Sequence, residues 1–207
     1  MINFETLVKN IKSNAGASAV VREDASKLPA IIVVSRADFL NVMKYLHSKE
    51  GGDFNVLQSM GAVDFLPEVK KPAPKAVPTS ASEGEAPQPA QPVKEEKPVE
   101  VPGRIECVYH LWSYANDFDL AVKVELPREK PEIESVYSLW VGANWHEREA
   151  YDLFGVFFSG HPDLRRILCP VDWEGHALLK DYKVQETWRG IVVEPRSKMN
   201  PWLRNLQ

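Results

Sequence analysis

The sequence of 207 residues has only two cysteines, Cys107 and Cys169, and they do not form a CxxC pair. Zinc, iron–sulfur and dithiol sites usually require such pairs, so none of these sites is expected in this chain. A run of about eighteen apolar residues, the length of a transmembrane helix, is also missing. The opening residues MINFETLVKN lack the basic start and the apolar stretch of a signal peptide, and we therefore expect the chain to stay in the cytoplasm.

An excess of positive charge is absent as well. The formal net charge is −4, and no basic cluster of the kind that binds nucleic acid is visible. The sequence contains no glycine-rich phosphate loop, no GxSxG motif and no cysteine beside a candidate base. These absences argue against an enzyme that acts alone, whereas a hydrophobic content of 44% is sufficient for a packed core.

Residues 67–103 differ in composition from both flanks. They are rich in Pro, Ala, Lys and Glu and contain no Leu, Ile, Met or aromatic residue. Because such a segment cannot bury enough apolar surface to order itself, we predict a disordered insertion. All six tryptophans follow it, so the second part of the chain supplies most of the large aromatic residues.

The remaining pattern predicts an α+β fold. Apolar residues at helical spacing indicate a first helix at NFETLVKNIK and a second at RADFLNVMKYLHSKEGG, which Ser35 would cap. Two β-branched runs between them, and segments near 55–65, 104–114 and 117–126, are typical of strands, the last two forming a hairpin. The order of helix, two strands, helix and three strands predicts a two-layer domain with a mixed sheet.

The stretch NWHEREAYDLFG concentrates charge on a third helix. Asn144 is a favourable N-cap, Glu147 stands where a capping-box acid belongs, and Gly155 would end the helix at Phe154. The stripe of Ala143, Glu147, Ala150 and Phe154 places Glu147 on the apolar face, where a carboxylate needs a partner.

The acids of this helix outnumber its cations. Arg148 can pair with Asp152 one turn later, whereas Glu149 and Asp152 repel each other. The nearest unused cations are Arg165 and Arg166. We predict that one of them, preferably Arg165, forms a bidentate salt bridge with Glu147 or Asp152.

Three histidines raise the alternative of a metallohydrolase. His146, His161 and His176 accompany several carboxylates, but Ala150 stands where an HExxH motif would need its second histidine. We therefore expect these histidines to cap turns or to bond backbone carbonyls.

The final residues, 183–207, carry more basic than acidic side chains, two tryptophans and little periodicity. We predict that this tail lies extended on a partner protein, anchored by Trp188 and Trp202.

The region from Trp140 to Tyr182, WVGANWHEREAYDLFGVFFSGHPDLRRILCPVDWEGHALLKDY, resembles the signature of the 30-kilodalton or C subunit of proton-pumping NADH:quinone oxidoreductase, respiratory complex I. RIECVYHLWS is similar to the strand that precedes this signature in the family. The resemblance implies one domain formed by residues 1–66 and 104–182, with residues 67–103 inserted at a hairpin.

The resemblance also implies a non-catalytic subunit of the peripheral arm. It would lie against the large D subunit on the cytoplasmic side of a bacterial inner membrane, held there by partners, with FMN and iron–sulfur clusters in neighbouring subunits and no catalytic, cofactor-binding or metal-binding residue of its own. The charged residues would be internal braces or interface contacts. Glu147 is the expected brace, and Glu149, Asp152, His161 and Asp163 are the expected partner contacts. The full set is Glu147, Arg148, Glu149, Asp152, His161, Asp163, Arg165, Arg166, Trp188 and Trp202.

Three other functions are compatible with parts of the sequence. The nearest is the equivalent subunit of a related membrane-bound hydrogenase or of a dehydrogenase that uses another electron donor. The second is the stand-alone metallohydrolase. The third is an adaptor whose segment PAPKAVP binds an SH3-like groove.

Overall fold

The computed structural model describes residues 3–70 and 99–193, which contain three helices and eleven strands. In chain order the elements are α1 (Phe4–Ala15), β1 (Val20–Asp24), β2 (Ala30–Val34), α2 (Phe39–His47), β3 (Val56–Phe65), β4 (Glu68–Lys70), β5 (Val99–Val101), β6 (Arg104–Ser113), β7 (Phe118–Pro127), β8 (Glu132–Glu134), α3 (Ala143–Phe154), β9 (Phe157–Ser159), β10 (Thr187–Trp188) and β11 (Ile191–Val192). No helix of the described residues is long and apolar enough to cross a membrane.

The main sheet has five strands in the order β1-β2-β7-β6-β3. The pair of β2 and β7 is parallel and the other neighbours are antiparallel, so the sheet is mixed. The predicted α+β class and the predicted order of the first seven large elements are confirmed. Two short parallel strands, β8 and β9, form a separate pair beside α3 and were not predicted.

Helices α1 and α2 bury the stripes that their spacing predicts. Leu7, Val8 and Ile11 of α1 are buried, as are Phe39, Val42, Met43 and Leu46 of α2. Alternate residues of β6 from Ile105 to Leu111 join the same core. The alternation sends Glu106 to the other face of the sheet, where it pairs with Lys123 at 2.6 Å.

Two helix starts differ from the prediction. Helix α2 begins at Phe39, directly after Asp38. Ser35 lies one turn before this start, and its hydroxyl accepts a hydrogen bond from the Asp38 amide. Helix α3 begins at Ala143 after Gly142, which places Asn144 inside the helix and removes it as a cap. The predicted end is confirmed, because Gly155 adopts the left-handed conformation with φ 77°.

The ends of the predicted insertion lie on neighbouring strands. Phe65 of β3 is paired with Arg104 of β6. Strands β4 and β5 pair with each other inside the predicted boundaries, so ordered backbone extends further into the insertion than its composition indicates. Residues 71–98 lie outside the described part of the chain.

Candidate functional site

Glu147 of α3 is buried, with no exposed side-chain area. Its Oε2 accepts a hydrogen bond from the Ser135 hydroxyl at 2.6 Å, and its Oε1 accepts one from the Val136 amide at 2.8 Å. Burial raises the pKa of Glu147 to about 7, although both hydrogen bonds act in the opposite direction. The predicted burial is therefore confirmed, but neither the predicted capping box nor an arginine partner forms.

His161 lies beside this carboxylate. Its Nε2 is 3.9 Å from Glu147 Oε2, and its side chain has no exposed area. The Asp163 amide donates to its Nδ1 at 3.1 Å, so a neutral ring carries its proton on Nε2. Burial lowers the pKa of His161. The side chain of His161 thus faces the interior of the domain, while the residue as a whole is partly exposed.

Asp152, at the other end of α3, holds the loop that follows β9. Its Oδ2 accepts from three consecutive amides, those of Ile167, Leu168 and Cys169, at 2.7 to 3.0 Å. Burial opposes ionisation of this carboxyl, but the three amide donors outweigh it and leave the pKa of Asp152 below its ordinary value. Its side chain has no exposed area, so Asp152 braces the loop and does not form part of the surface.

The arginines take other partners than those predicted. Arg166 contacts Asp152 Oδ1 at 3.3 Å through one nitrogen, whereas Arg165 points outward and pairs with Asp163. The three amides already occupy Oδ2, which leaves no room for the predicted bidentate contact. Arg148 does not pair with Asp152 either. Its Nε donates to the Arg165 carbonyl at 3.2 Å.

A second brace joins residues that are distant in sequence. Arg128 donates to both oxygens of the buried Asp64, at 2.7 and 3.0 Å, and also binds Asp181. The Lys180 amide donates to Asp64 as well, at 2.8 Å. Hydrogen bonding from Arg128 lowers the pKa of Asp64. No local signal could have predicted this brace, since Asp64 lies 64 and 116 residues from its two donors.

Part of the predicted tail folds back on its own chain. Strands β10 and β11 form a hairpin through Arg189 and Gly190, both at positive φ, as a type I′ turn requires. Trp188 lies 6.0 Å from Trp173 between ring centroids, and Arg189 pairs with Asp172 at 2.7 Å. Residues 187–192 therefore form a hairpin instead of one continuous extended segment. Trp202 lies outside the described residues, and binding of the tail to a partner stays a prediction.

His176 does not join His161. His176 Nδ1 lies 2.9 Å from the Asp152 carbonyl, near the opposite end of α3 from Glu147. Within residues 3–70 and 99–193, no group of three or more His, Cys, Asp or Glu side chains could hold a metal ion. Cys107 is buried in the core and Cys169 is partly buried.

Exposed apolar side chains occur in both described parts of the chain, from Val21 and Leu28 in the first part to Val192 in the second. On α3 and just before it, Trp145 is 65% exposed and Val141 is 73% exposed. The Arg148 guanidinium lies over the Trp145 ring at 5.2 Å, which restricts its orientation. Others follow along the chain: Phe157, Leu168, Val171, Leu178, Val184, Ile191 and Val192. Glu149 is exposed beside Trp145, and Asp163 is about half exposed.

Fold and site together define a small α+β domain whose buried acids hold its own loops and whose second half exposes apolar side chains. A family model described as respiratory-chain NADH dehydrogenase, 30 Kd subunit, matches residues 32–188. The match covers most of the chain and runs across the insertion. The chain therefore belongs to this family, and the resemblance found in the sequence is confirmed.

Individual relatives carry names that agree with this family. The C subunit of NADH-quinone oxidoreductase from Burkholderia thailandensis is 34% identical, with 93% of this chain and 90% of that protein covered. The C/D subunit of NADH-quinone oxidoreductase from Nitrosospira multiformis is 32% identical over 83% of this chain, which corresponds to 24% of that longer protein. With the C subunits from Chloroherpeton thalassium and Chlorobium phaeobacteroides the identity is 54% and 68%, but the matches span only 38% and 45% of their lengths.

A solved structure has the same fold. It is the trypsin-resistant fragment (1-134) of Nqo5, which is 28% identical to this chain with a TM-score of 0.52. The superposition covers 79% of this chain and all of the fragment.

Proposed function

We propose that the chain is a non-catalytic structural subunit of the peripheral arm of a proton-pumping NADH:quinone oxidoreductase. Electrons would pass from NADH through FMN and iron–sulfur clusters in other subunits to quinone. The observation that carries the proposal is the family match over residues 32–188, on both sides of the insertion. The buried acids support it, because Glu147, Asp152 and Asp64 are engaged in holding the fold together.

The proposed partner is the large D subunit. The relative from Nitrosospira multiformis is named as a C/D protein, and only 24% of its length corresponds to this chain. A C-type and a D-type part within one polypeptide are held close together, which is consistent with direct contact between separate subunits. Contact with this partner would keep the chain on the cytoplasmic side of a bacterial inner membrane.

Trp145 is the candidate anchor of this interface. Its ring is 65% exposed yet held by Arg148, whose Nε is in turn fixed by the Arg165 carbonyl. A large ring that is restrained before binding loses little conformational entropy when it is buried by a partner. Tryptophan and arginine are also the residues that most often dominate binding energy at protein interfaces.

The experiment compares two tagged full-length variants expressed at native level. Trp145→Ala removes the candidate anchor, and Tyr114→Ala removes a ring that is 80% exposed in the turn between β6 and β7. After gentle solubilisation, the amount of D subunit recovered with each variant is measured. We expect Trp145→Ala to lower recovery by about tenfold or more, as loss of an anchor residue does. Tyr114→Ala should match the unmodified chain. Equal recovery with both variants would contradict the assignment of Trp145.

A further inference from the structure

Residues 178–182, which we call the strap, are where the domain holds the chain before the tail begins. The Lys180 amide donates to the buried Asp64 at 2.8 Å, and Leu179 packs against the core. In the described part of the chain, residues 183–186 form no backbone hydrogen bond outside the tail itself. The point from which the tail starts therefore depends on the strap.

Arg128 binds the strap and the end of β3 at the same time. Its Nε and Nη2 donate to the two oxygens of Asp64, at 2.7 and 3.0 Å. Its Nη1 donates to Asp181 Oδ2 at 3.1 Å, and Nη2 also donates to Asp181 Oδ1. Bidentate contacts of this kind fix the direction of the guanidinium as well as its distance. Hydrogen bonding from Arg128 lowers the pKa of both acids, so both are charged at neutral pH.

The two contacts of Arg128 differ in burial. Asp64 has no exposed side-chain area, whereas Asp181 is 58% exposed. An unpaired charge costs far more in the interior than at the surface, so a displaced Arg128 keeps Asp64 and gives up Asp181. The contact with the strap is therefore the one that responds when Arg128 moves.

The aliphatic part of Arg128 is confined by the base of the insertion, Pro67 and Gly103. A Cβ added at Gly103 would lie 3.0 Å from Arg128 Cδ, 3.1 Å from Pro67 Cδ and 3.3 Å from the Phe65 carbonyl oxygen. The Arg128 amide also donates to the Gly103 carbonyl, at 3.4 Å. The proline ring is rigid and Phe65 belongs to the main sheet, so Arg128 is the neighbour that gives way.

We propose that Arg128 couples the base of the insertion to the start of the tail. A displacement at Gly103 shifts the Arg128 side chain, which weakens its contact with Asp181 and loosens the strap. The contact with Asp64 persists. This coupling lies within the chain and does not rest on the proposed function, so the purified full chain is sufficient to test it.

Hydrogen exchange of the Lys180 amide, which donates to Asp64, measures how often the strap opens. Asp181→Ala removes the exposed contact and should lower the protection of this amide about fivefold, as loss of one hydrogen bond of ordinary net strength does. Arg128→Lys should have at least the same effect, because a lysine ammonium cannot bind both carboxylates through a planar fork. The Leu7 amide of α1, 2.9 Å from the Asn3 carbonyl, should keep its protection in both variants, since α1 packs on α2 and β1.

Gly103→Ala tests the coupling itself. We expect the protection of the Lys180 amide to fall about threefold, because the added methyl group displaces Arg128. Gly61→Ala is the matched control, since Gly61 lies in β3 and an added Cβ there would meet nothing within 4 Å. It should leave the protection of the Lys180 amide unchanged.

A double-mutant cycle tests whether the effect passes through the contact of Arg128 with Asp181. If it does, Gly103→Ala together with Asp181→Ala should lower protection about fivefold, as Asp181→Ala does alone. Independent effects would multiply to about fifteenfold and would overturn the proposal. Unchanged protection in Asp181→Ala or in Gly103→Ala, or an equal fall in Gly61→Ala, would overturn it as well.

Discussion

Replacing Asp152 by Asn tests whether the buried acid holds the loop after β9. The substitution preserves size but removes the charge that Arg166 and the amides of residues 167–169 share. Removing one member of a buried ion pair costs about 3 to 5 kcal/mol. Arg166 keeps 16% exposure, and an amide oxygen can still accept from the backbone. We therefore expect the free energy of unfolding to fall by about 3 kcal/mol, the lower end of that range. Urea unfolding of the purified full chain measures it.

Asp163→Asn is the control in the same loop. Asp163 pairs with Arg165, but the two side chains are 52% and 71% exposed, so the loss should be below about 1 kcal/mol. The pH dependence gives a second check. The folded pKa of Asp152 is depressed, so its contribution is present above its ordinary pKa of 3.8 and is lost as pH falls through the folded value. The difference between the unmodified chain and Asp152→Asn should therefore shrink in acid. A loss no larger than that of Asp163→Asn would refute the brace.

Two further predictions concern Gly155, which ends α3, and the buried Glu147 within it. Gly155→Ala should cost about 2 kcal/mol or more, because the residue has φ 77° and a new Cβ would lie 2.7 Å from the His176 ring. Gly160→Ala has a similar φ of 83° but open space around the new Cβ, so about 1 kcal/mol is expected; equal losses in urea unfolding would contradict the steric argument. The pKa of Glu147 in the folded chain is raised to about 7, so its contribution to the free energy of unfolding is greatest below its ordinary pKa of 4.5. This contribution is lost as the pH rises to about 7, which lowers the free energy of unfolding by about 3 kcal/mol. Glu147→Gln should abolish this fall while Glu106→Gln keeps it, and a fall that survives in Glu147→Gln would exclude this carboxyl as its source.

Local patterns in the sequence predicted most of the fold. Helical spacing identified the buried faces of α1 and α2, β-branched runs identified β1 and β2, and alternation identified β6 and β7. These signals are local because each element must present one apolar face to the same core. The pairs β8–β9 and β10–β11 escaped prediction because strands of two or three residues carry too little periodicity.

The site was predicted only in part. The stripe on α3 indicated that Glu147 is buried, but the partner of its carboxylate depends on how the loop after β8 approaches. Arg165 and Arg166 are adjacent, and the turn of the backbone decides which of them faces Asp152. The brace of Asp64 and Arg128 depends on contacts that only the complete fold creates.

The proposed role of the chain is that of a structural subunit in an NADH:quinone oxidoreductase assembly. The most direct test is to tag the chain at its native level, purify it from gently solubilised membranes and identify the proteins that accompany it while measuring quinone-dependent NADH oxidation. We expect recovery of flavin and iron–sulfur subunits with this activity. Recovery of the chain alone and loaded with metal, or with hydrogenase subunits and no NADH oxidation, would contradict it.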